Sequence, residues 1–269
     1  MSIPINLEGR VILVCGVGKG GIGGPTARII SAAGATVVAV DKTQQLLDPT
    51  IADIKAAGGR CHGIVADLMD PAQTDPIVAT AVERFGRLDG VANVAGGTRA
   101  DEWMRLEETP LSSFHASLNL NFEYTFRICR DAARYMIKNN IRGSLVNVGS
   151  ISSLNSAPYH GPYGAAKAAM SALTRTMAIE WQPYGIRTNT VHPGAVPTER
   201  TKSFGSDPSK NAGMPQVVRT APEAVGHAIA FFLSDLASGI TGQNLVVDSG
   251  LSANYCSGAI NVDSLPKKS

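Results

Sequence analysis

The stretch Val11-Ile-Leu-Val-Cys15, followed by Gly16-Val-Gly-Lys-Gly-Gly-Ile-Gly-Gly24, decides the fold of this chain. A short run of consecutive apolar residues is typical of a strand that is covered on both faces of its sheet. The glycines behind it allow the backbone to turn sharply, and the pattern at 26–33 predicts a helix directly after them. Because the N-terminus of such a helix presents unpaired N–H groups, this turn can bind a pyrophosphate.

The alternation of strand and helix continues along the chain. Six more apolar runs of strand length lie at 36–40, 61–65, 88–92, 145–148, 187–191 and 245–247, with helical stretches between them. Because the pattern repeats without a break in composition, it predicts an α/β fold, namely a Rossmann-like, doubly wound parallel sheet of seven strands with helices on both faces. We expect a single domain over 1–269, with a substrate loop at about 199–216 and a loose tail at about 258–269.

Two helices can be outlined in more detail. Between 111 and 136, apolar residues recur in steps of three and four, which predicts one continuous helix. Thr220 and Glu223 have the spacing of a capping box ahead of the apolar stretch 224–233. Pro222 falls in the first turn of that helix, where a missing N–H group is tolerated.

Composition and charge exclude several classes of protein. The chain has 269 residues, of which 44% are hydrophobic, so one large domain can bury an ample core. Its net charge of +2 is too balanced for a nucleic-acid binder, and no apolar run approaches the roughly 20 residues of a spanning helix. Residues 1–10 do not resemble a secretory signal, and the four cysteines form no metal or disulfide framework. We therefore expect a cytoplasmic protein without a metal, nucleic-acid or membrane partner.

The glycine-rich turn has two possible interpretations. Gly16 and Gly21 have the spacing that opens a nucleoside-triphosphate loop. That loop requires Lys and then Ser or Thr directly after the second glycine, whereas Ile22 and Gly23 follow here. The triphosphate interpretation is therefore excluded, and the dinucleotide interpretation remains.

Asp41, at the end of the second apolar run, supports a dinucleotide and indicates which one. A carboxylate at this point accepts hydrogen bonds from both adenine-ribose hydroxyls and repels a 2′-phosphate. The sequence thus predicts NAD, although Lys19 and Lys42 could weaken the discrimination against NADP.

The most specific motif is Tyr163-Gly-Ala-Ala-Lys167, with Ser150 upstream at the end of a predicted strand. On these residues the chain resembles the compact, single-domain branch of the short-chain dehydrogenase/reductase family, over about residues 7–254. Residues four apart project from one face of a helix, and a neighbouring ammonium lowers the pKa of a tyrosine, ordinarily about 10. The resemblance implies that Tyr163 is the acid/base, that Ser150 binds the substrate oxygen and that Lys167 also binds the nicotinamide ribose. It further implies that Asn121 holds a water in a proton relay.

Several further segments resemble the cofactor contacts of that family. Asn93-Val-Ala-Gly96 resembles the segment after the fourth strand, Asp67-Leu68 the adenine-contacting pair, and Pro193-Gly-Ala-Val-Pro-Thr198 the segment that holds the nicotinamide amide. The glycine motif departs from the family pattern by one extra residue, so we expect the phosphate loop to bulge. The resemblance implies cofactor contacts at Gly16, Gly21, Ile22, Gly23, Asp41, Asp67, Leu68, Asn93, Ala95, Gly96, Tyr163, Lys167, Pro193, Gly194, Val196 and Thr198.

These residues predict an NAD(H)-dependent oxidoreductase that interconverts a secondary alcohol and a ketone. One alternative is an NADP(H)-dependent ketoreductase of acyl or xenobiotic carbonyls, which Asp41 disfavours. The other is a non-catalytic nucleotide-sensing protein of the same fold, in which we would expect Tyr163 or Lys167 to be lost. The resemblance also implies a homotetramer that uses the Tyr163 helix at an interface.

The substrate pocket is less well defined by the sequence. Its candidate residues indicate an apolar, cyclic alcohol or ketone, and they are Trp103, Leu154, Tyr159, Phe204 and Met214. His160 also lies just before Tyr163 and is a candidate for the pocket wall. His192, which precedes Pro193, is interpreted as a structural histidine rather than a catalyst.

Overall fold

The computed structural model describes residues 4–18, 20–198 and 219–253, and within them a seven-stranded parallel sheet forms the centre of the protein. The strand order is β3-β2-β1-β4-β5-β6-β7, which confirms the predicted doubly wound fold. The substrate loop expected at 199–216, with Phe204 and Met214, and the tail expected at 258–269 lie outside the described residues. The strands are β1 (Val11–Cys15), β2 (Thr36–Asp41), β3 (Arg60–Val65), β4 (Gly90–Asn93), β5 (Ser144–Val148), β6 (Arg187–Pro193) and β7 (Asn244–Val247).

Helices cover both faces of the sheet, as the apolar character of the strands requires. Along β1, Ile12 and Val14 pack into one hydrophobic cluster, whereas Leu13 and Cys15 pack into the other. The first cluster includes residues of α1, α2 and α8, and the second includes residues of α4, α6 and α7. The helices are α1 (Gly23–Ala32), α2 (Gln44–Ala56), α3 (Pro71–Thr74), α4 (Ile77–Phe85), α5 (Leu111–Leu118), α6 (Tyr124–Lys138), α7 (Gly161–Trp181) and α8 (Pro222–Leu233).

The order of the strands places a crevice at one edge of the sheet. β1 pairs with β2 on one side and with β4 on the other. Successive strands are therefore added in opposite directions on the two sides of β1. Ligands of open α/β sheets bind outside the carboxyl ends of the strands at such a switch point. No helix in the described ranges is long and apolar enough to cross a membrane.

The single helix predicted between 111 and 136 is wrong in one detail, because a π-helical turn, Asn119–Glu123, separates α5 from α6. Such a turn interrupts the regular helical hydrogen bonds, which a spacing of three and four apolar residues does not reveal. Leu111 and Phe126, on the predicted apolar side, are exposed. The side-chain amide of Asn121 donates to the carbonyl oxygen of Ser117 at 3.1 Å. In a regular α-helix the same carbonyl accepts from the backbone N–H of residue 121.

The capping box predicted at Thr220 is also wrong. Helix α8 begins at Pro222, and Ala221 precedes it without a side-chain cap. Thr220 is buried instead, and its hydroxyl lies 3.1 Å from the hydroxyl of Ser249, beyond the end of β7. A long-range contact has therefore replaced the local one, although Pro222 does occupy the first turn as expected.

Candidate active site

Two cavities lie at the carboxyl ends of the central strands. The larger, of about 510 Å³, is lined by Ser150, Tyr163 and Lys167 together with residues after β4 and β6. The smaller, of about 340 Å³, is lined by the glycine-rich turn and Asp41. Both cavities share Ile22, Val94, Gly96 and Thr198 in their walls, so they form one elongated cleft. Its size lies within the range of small-molecule and cofactor sites.

The glycine-rich turn is folded tightly between β1 and α1. A side chain at Gly23 would collide with the carbonyl oxygen of Gly16, and Gly16 itself has φ +89°. A Cβ at Gly16 would lie 2.6 Å from the Cα of Ala95 at the end of β4. These two positions therefore require glycine, and the backbone at the start of α1 is left open to the cleft.

Asp41 contacts this turn directly. Its carboxylate accepts a hydrogen bond from the Gly18 N–H at 2.7 Å and another from the Lys42 N–H at 2.8 Å. Each carboxylate oxygen can accept more than one hydrogen bond, so Asp41 retains capacity for further donors. The side chain thus orders the longer turn and lines the smaller cavity at the same time.

Lys42 is directed away from Asp41 and toward Asp67. The Lys42 Nζ lies 2.7 Å from the Asp67 Oδ2, and this hydrogen bond holds the pKa of the Asp67 carboxyl below its ordinary value. The lysine side chain is 65% exposed, and an ion pair so open to water contributes little to stability. The ammonium can therefore leave Asp67 at small cost.

Ser150 is held by local and long-range contacts. It caps the short 3-10 turn Ile151–Ser153, and its Oγ accepts a hydrogen bond from the Ser152 N–H at 3.1 Å. Because that bond uses a lone pair of the oxygen, the hydroxyl proton remains available for another acceptor. Ser150 lines the larger cavity, where such an acceptor can be a substrate oxygen.

His192 fixes the backbone of Ser150 from beneath the cavity. Its fully buried ring has Nδ1 3.2 Å from the Ser150 nitrogen and 2.9 Å from the Ser150 carbonyl oxygen, and Nε2 2.8 Å from the Oδ1 of Asn244. The hydroxyl of Ser153 also lies 2.8 Å from Nδ1. A side chain at Gly149 would run into this ring. These contacts fit the interpretation of His192 as a structural histidine, but the sequence did not indicate that it contacts Ser150.

Tyr163 and Lys167 lie one turn apart on α7 and both line the larger cavity. The Lys167 side chain is 3% exposed, and its Nζ donates to the carbonyl oxygen of Val148 at 2.8 Å. The same nitrogen lies 5.9 Å from the centre of the Tyr163 ring, within the range of a cation–π contact. Helix α7 therefore brings a phenol and a buried ammonium together, as their spacing predicted.

Asn121 lies behind the cavity wall. Its Oδ1 accepts from the Gly97 N–H at 2.7 Å, and its Nδ2 donates to the Gly97 carbonyl at 3.2 Å. A Cβ at Gly96 would lie 2.6 Å from this Oδ1 and 3.1 Å from the Nζ of Lys167. Asn121, Gly96 and Lys167 thus meet around one point, and a side chain at residue 96 would separate them.

The structure brings most of the expected cofactor residues to the cleft, but not all of them. Leu68 is 8% exposed and packs in the core, and Asn93 donates through its side chain to Asn147 at 3.0 Å within the sheet. Asp67, Leu68 and Asn93 line neither cavity. The expected residues that do are Gly16, Gly21, Ile22, Gly23, Asp41, Ala95, Gly96, Tyr163, Lys167, Pro193, Gly194, Val196 and Thr198.

Comparison with known proteins places the chain in a family. A family model described as enoyl-(acyl carrier protein) reductase matches residues 16–252, which includes the whole cleft. The chain is a short-chain dehydrogenase/reductase. This family comprises oxidoreductases that use a nicotinamide cofactor, NAD or NADP.

Relatives of this short-chain dehydrogenase/reductase are named for different activities. It is 32% identical to the 3-oxoacyl-[acyl-carrier-protein] reductase FabG of Thermotoga maritima, over 92% of this chain and 99% of that protein. It is equally identical to the 2,5-dichloro-2,5-cyclohexadiene-1,4-diol dehydrogenase of Sphingobium indicum, over 92% and 99% of the two chains. The crystal structure of a putative short-chain dehydrogenase/reductase from Burkholderia xenovorans is 29% identical, with a TM-score of 0.84, and covers 93% of this chain and 99% of that one.

The cleft fits a nicotinamide dinucleotide. The side-chain-free turn at Gly16 and Gly23 exposes the backbone at the N-terminus of α1, which suits a pyrophosphate. The cavity continues from there to Tyr163, so one extended molecule can reach both ends.

Proposed function

We propose that the protein is an NAD(H)-dependent oxidoreductase that interconverts a secondary alcohol and a ketone. The observation that carries this proposal is that Ser150, Tyr163 and Lys167 line one cavity, which continues to the glycine-rich turn and Asp41. A proton-transfer group, an oxygen-binding hydroxyl and a dinucleotide cleft are therefore adjacent. This combination is what hydride transfer to or from a carbinol carbon requires.

We propose that each part of the cofactor contacts a different group of residues. Gly21, Ile22 and Gly23 would hold the pyrophosphate at the N-terminus of α1. Asp41 would accept hydrogen bonds from the adenine-ribose hydroxyls. The segment from Pro193 to Thr198 would hold the nicotinamide end, close to Lys167.

The chemistry divides between cofactor and protein. When bound, the nicotinamide would supply the hydride chemistry, as acceptor in oxidation and as donor in reduction. Tyr163 removes the hydroxyl proton as the C=O bond forms, and gives it back in the reverse direction. The ammonium of Lys167 favours the phenolate because opposite charges attract in this buried setting. Ser150 donates its hydroxyl proton to the substrate oxygen, which helps most when that oxygen carries negative charge.

Asn121 has a different place in this scheme. Both ends of its amide are bonded to Gly97, and Nδ2 also donates to Ser117. We propose that it holds the Gly96–Gly97 backbone in place, so that Lys167 keeps its position. The proton relay through a water at Asn121 stays a prediction.

A second candidate is an NADP(H)-dependent ketoreductase. The similarity to FabG and the exposed Lys42 favour it, because that ammonium could leave Asp67 to meet a 2′-phosphate. Asp41 disfavours it through charge repulsion. Turnover measured side by side with the two cofactors distinguishes the candidates.

The first experiment is a panel of secondary alcohols assayed for NADH formation, with each cofactor in turn. We expect oxidation with NAD and much slower oxidation with NADP. A protein that binds NADH in a titration but turns over no alcohol or ketone with either cofactor would instead be a nucleotide sensor. We also propose a cytoplasmic homotetramer that uses α7 at an interface, which sedimentation of the purified protein tests.

A further inference from the structure

The outer wall of the larger cavity carries two polar groups that the proposed reaction does not use, His160 and Ser152. The His160 Nδ1 lies 2.8 Å from the carbonyl oxygen of Pro158. Because a carbonyl oxygen can only accept, Nδ1 must carry the proton of the ring. In the neutral imidazole the other nitrogen, Nε2, is then a hydrogen-bond acceptor.

That acceptor is poorly satisfied. The Ser152 Oγ lies 3.4 Å from the His160 Nε2, which is well beyond the usual O–H to nitrogen or oxygen distance. In the part of the chain that the structure describes, this is the one side-chain contact that either atom makes. An oxygen that lies beside both atoms can donate its proton to Nε2 and accept the proton of the Ser152 hydroxyl. Among the oxygens of an alcohol or ketone substrate, a hydroxyl can do both, whereas a carbonyl can only accept.

The ring of His160 is also held in place by its aromatic neighbours. The Trp103 ring centre lies 4.7 Å from the His160 ring centre, with 34° between the planes, and the Tyr163 ring centre lies 5.9 Å away. Trp103 belongs to the same cavity wall and is 43% exposed. These flat surfaces suit a substrate that carries a ring.

The position of His160 and Ser152 determines where a second hydroxyl of the substrate would lie relative to the reacting oxygen. The Ser152 N–H donates to the Ser150 Oγ at 3.1 Å, so the two serines are neighbours in the cavity wall. His160 stands one turn before Tyr163 at the start of α7. A second hydroxyl bound by the pair would therefore lie beside the reacting oxygen rather than on the far side of the substrate.

We propose that His160 and Ser152 recognise a second hydroxyl group of the substrate, so that the preferred substrates are ring-bearing diols and the corresponding hydroxy ketones. This inference rests on the proposed function. It disfavours 3-oxoacyl thioesters, because the second oxygen of such a substrate is a carbonyl. A carbonyl accepts from Ser152 but presents lone pairs to the lone pair of the His160 Nε2.

The test compares trans-1,2-cyclohexanediol with cyclohexanol as substrates of the full-length protein with NAD. We expect the wild type to prefer the diol about tenfold in kcat/KM, as one or two satisfied hydrogen bonds imply. His160→Phe keeps a flat ring but loses Nε2, and Ser152→Ala keeps the N–H bond to Ser150 but loses the hydroxyl. In either variant the ratio of kcat/KM for the diol to that for cyclohexanol should be close to one. His227→Phe, on the exposed side of α8, is the matched control and should leave it unchanged.

Each outcome decides the matter. The inference is wrong if the wild type prefers neither substrate, or if His160→Phe and Ser152→Ala lose kcat/KM equally on both substrates. In either case the oxidation of alcohols still supports the proposed function. Faster reduction of an acetoacetyl thioester than of 2-hydroxycyclohexanone overturns the inference as well. If no member of the panel is oxidised or reduced, the proposed function is wrong and this inference with it. Should His160→Phe fail to bind NADH, Ser152→Ala alone supplies the result.

Discussion

Replacement of Asp41 by Asn should transfer the cofactor preference from NAD toward NADP. The carboxylate now accepts charge-assisted hydrogen bonds from Gly18 at 2.7 Å and from Lys42 at 2.8 Å. The amide keeps one acceptor oxygen, which we expect to stay on the part-buried Gly18 N–H, while water replaces it at the exposed Lys42 N–H. The stability lost by the free protein is therefore about 1 kcal/mol.

The effect on cofactor binding is larger and has opposite signs for the two molecules. In Asp41→Asn the group that accepts hydrogen bonds from the adenine ribose of NAD is uncharged, which weakens those bonds by about 1 kcal/mol. NADP escapes the repulsion between a carboxylate and a phosphate, which is about 1–3 kcal/mol at contact range for a site near the surface. The ratio of the two dissociation constants should therefore change by about 30-fold or more.

Fluorescence titration with NADH and NADPH measures both constants, and a thermal melt of the free protein measures the stability. Asp48→Asn is the matched control, since that exposed carboxylate on α2 accepts only from the side chain of Gln44 among the described residues. It removes the same charge without touching the cleft. An Asp41→Asn ratio within threefold of the wild type, or an equal change in Asp48→Asn, would refute the assignment of Asp41 to the adenine ribose.

Four further outcomes are expected. Tyr163→Phe should fold and still bind NADH, yet lose nearly all turnover; wild-type turnover in this variant would contradict the mechanism. His192→Ala should lower the melting temperature by about 5–10 °C, because it leaves the Ser150 N–H and other buried partners unpaired, and should reduce kcat more than NADH affinity. Gly96 has φ +137°, and a Cβ there would lie 2.6 Å from the Oδ1 of Asn121, so Gly96→Ala should lose activity and stability together. An unchanged melting temperature would argue against that contact. Sedimentation should give four times the chain mass, and a monomer would exclude the tetramer.

Much of the fold followed from residues close together in sequence. Continuous apolar runs predicted buried parallel strands, and all seven predicted runs overlap an observed strand. The positions of Tyr163 and Lys167 were predictable because four residues make about one helical turn, whatever the rest of the protein does. The glycine at residue 23 could be expected because a helix that starts against a tight turn leaves no room for a side chain.

Contacts between distant segments were not predictable in this way. At the π-helical turn, the side chain of Asn121 bonds both Ser117 and Gly97, and Gly97 belongs to another part of the chain. Thr220 contacts Ser249 instead of capping α8, and this too is a contact between distant segments. In both cases a tertiary hydrogen bond outweighed a local pattern worth only about 1 kcal/mol.

The amino-acid sequence by itself determined the layered α/β architecture and the chemical groups available for reaction, because strand, helix and motif spacings are local properties of the chain. Only the tertiary structure decided how those groups are supported: His192 contacts Ser150, and Asp41 contacts the glycine-rich turn. These supports join residues more than 20 positions apart, and their geometry exists only after the sheet has brought the ends of its strands together.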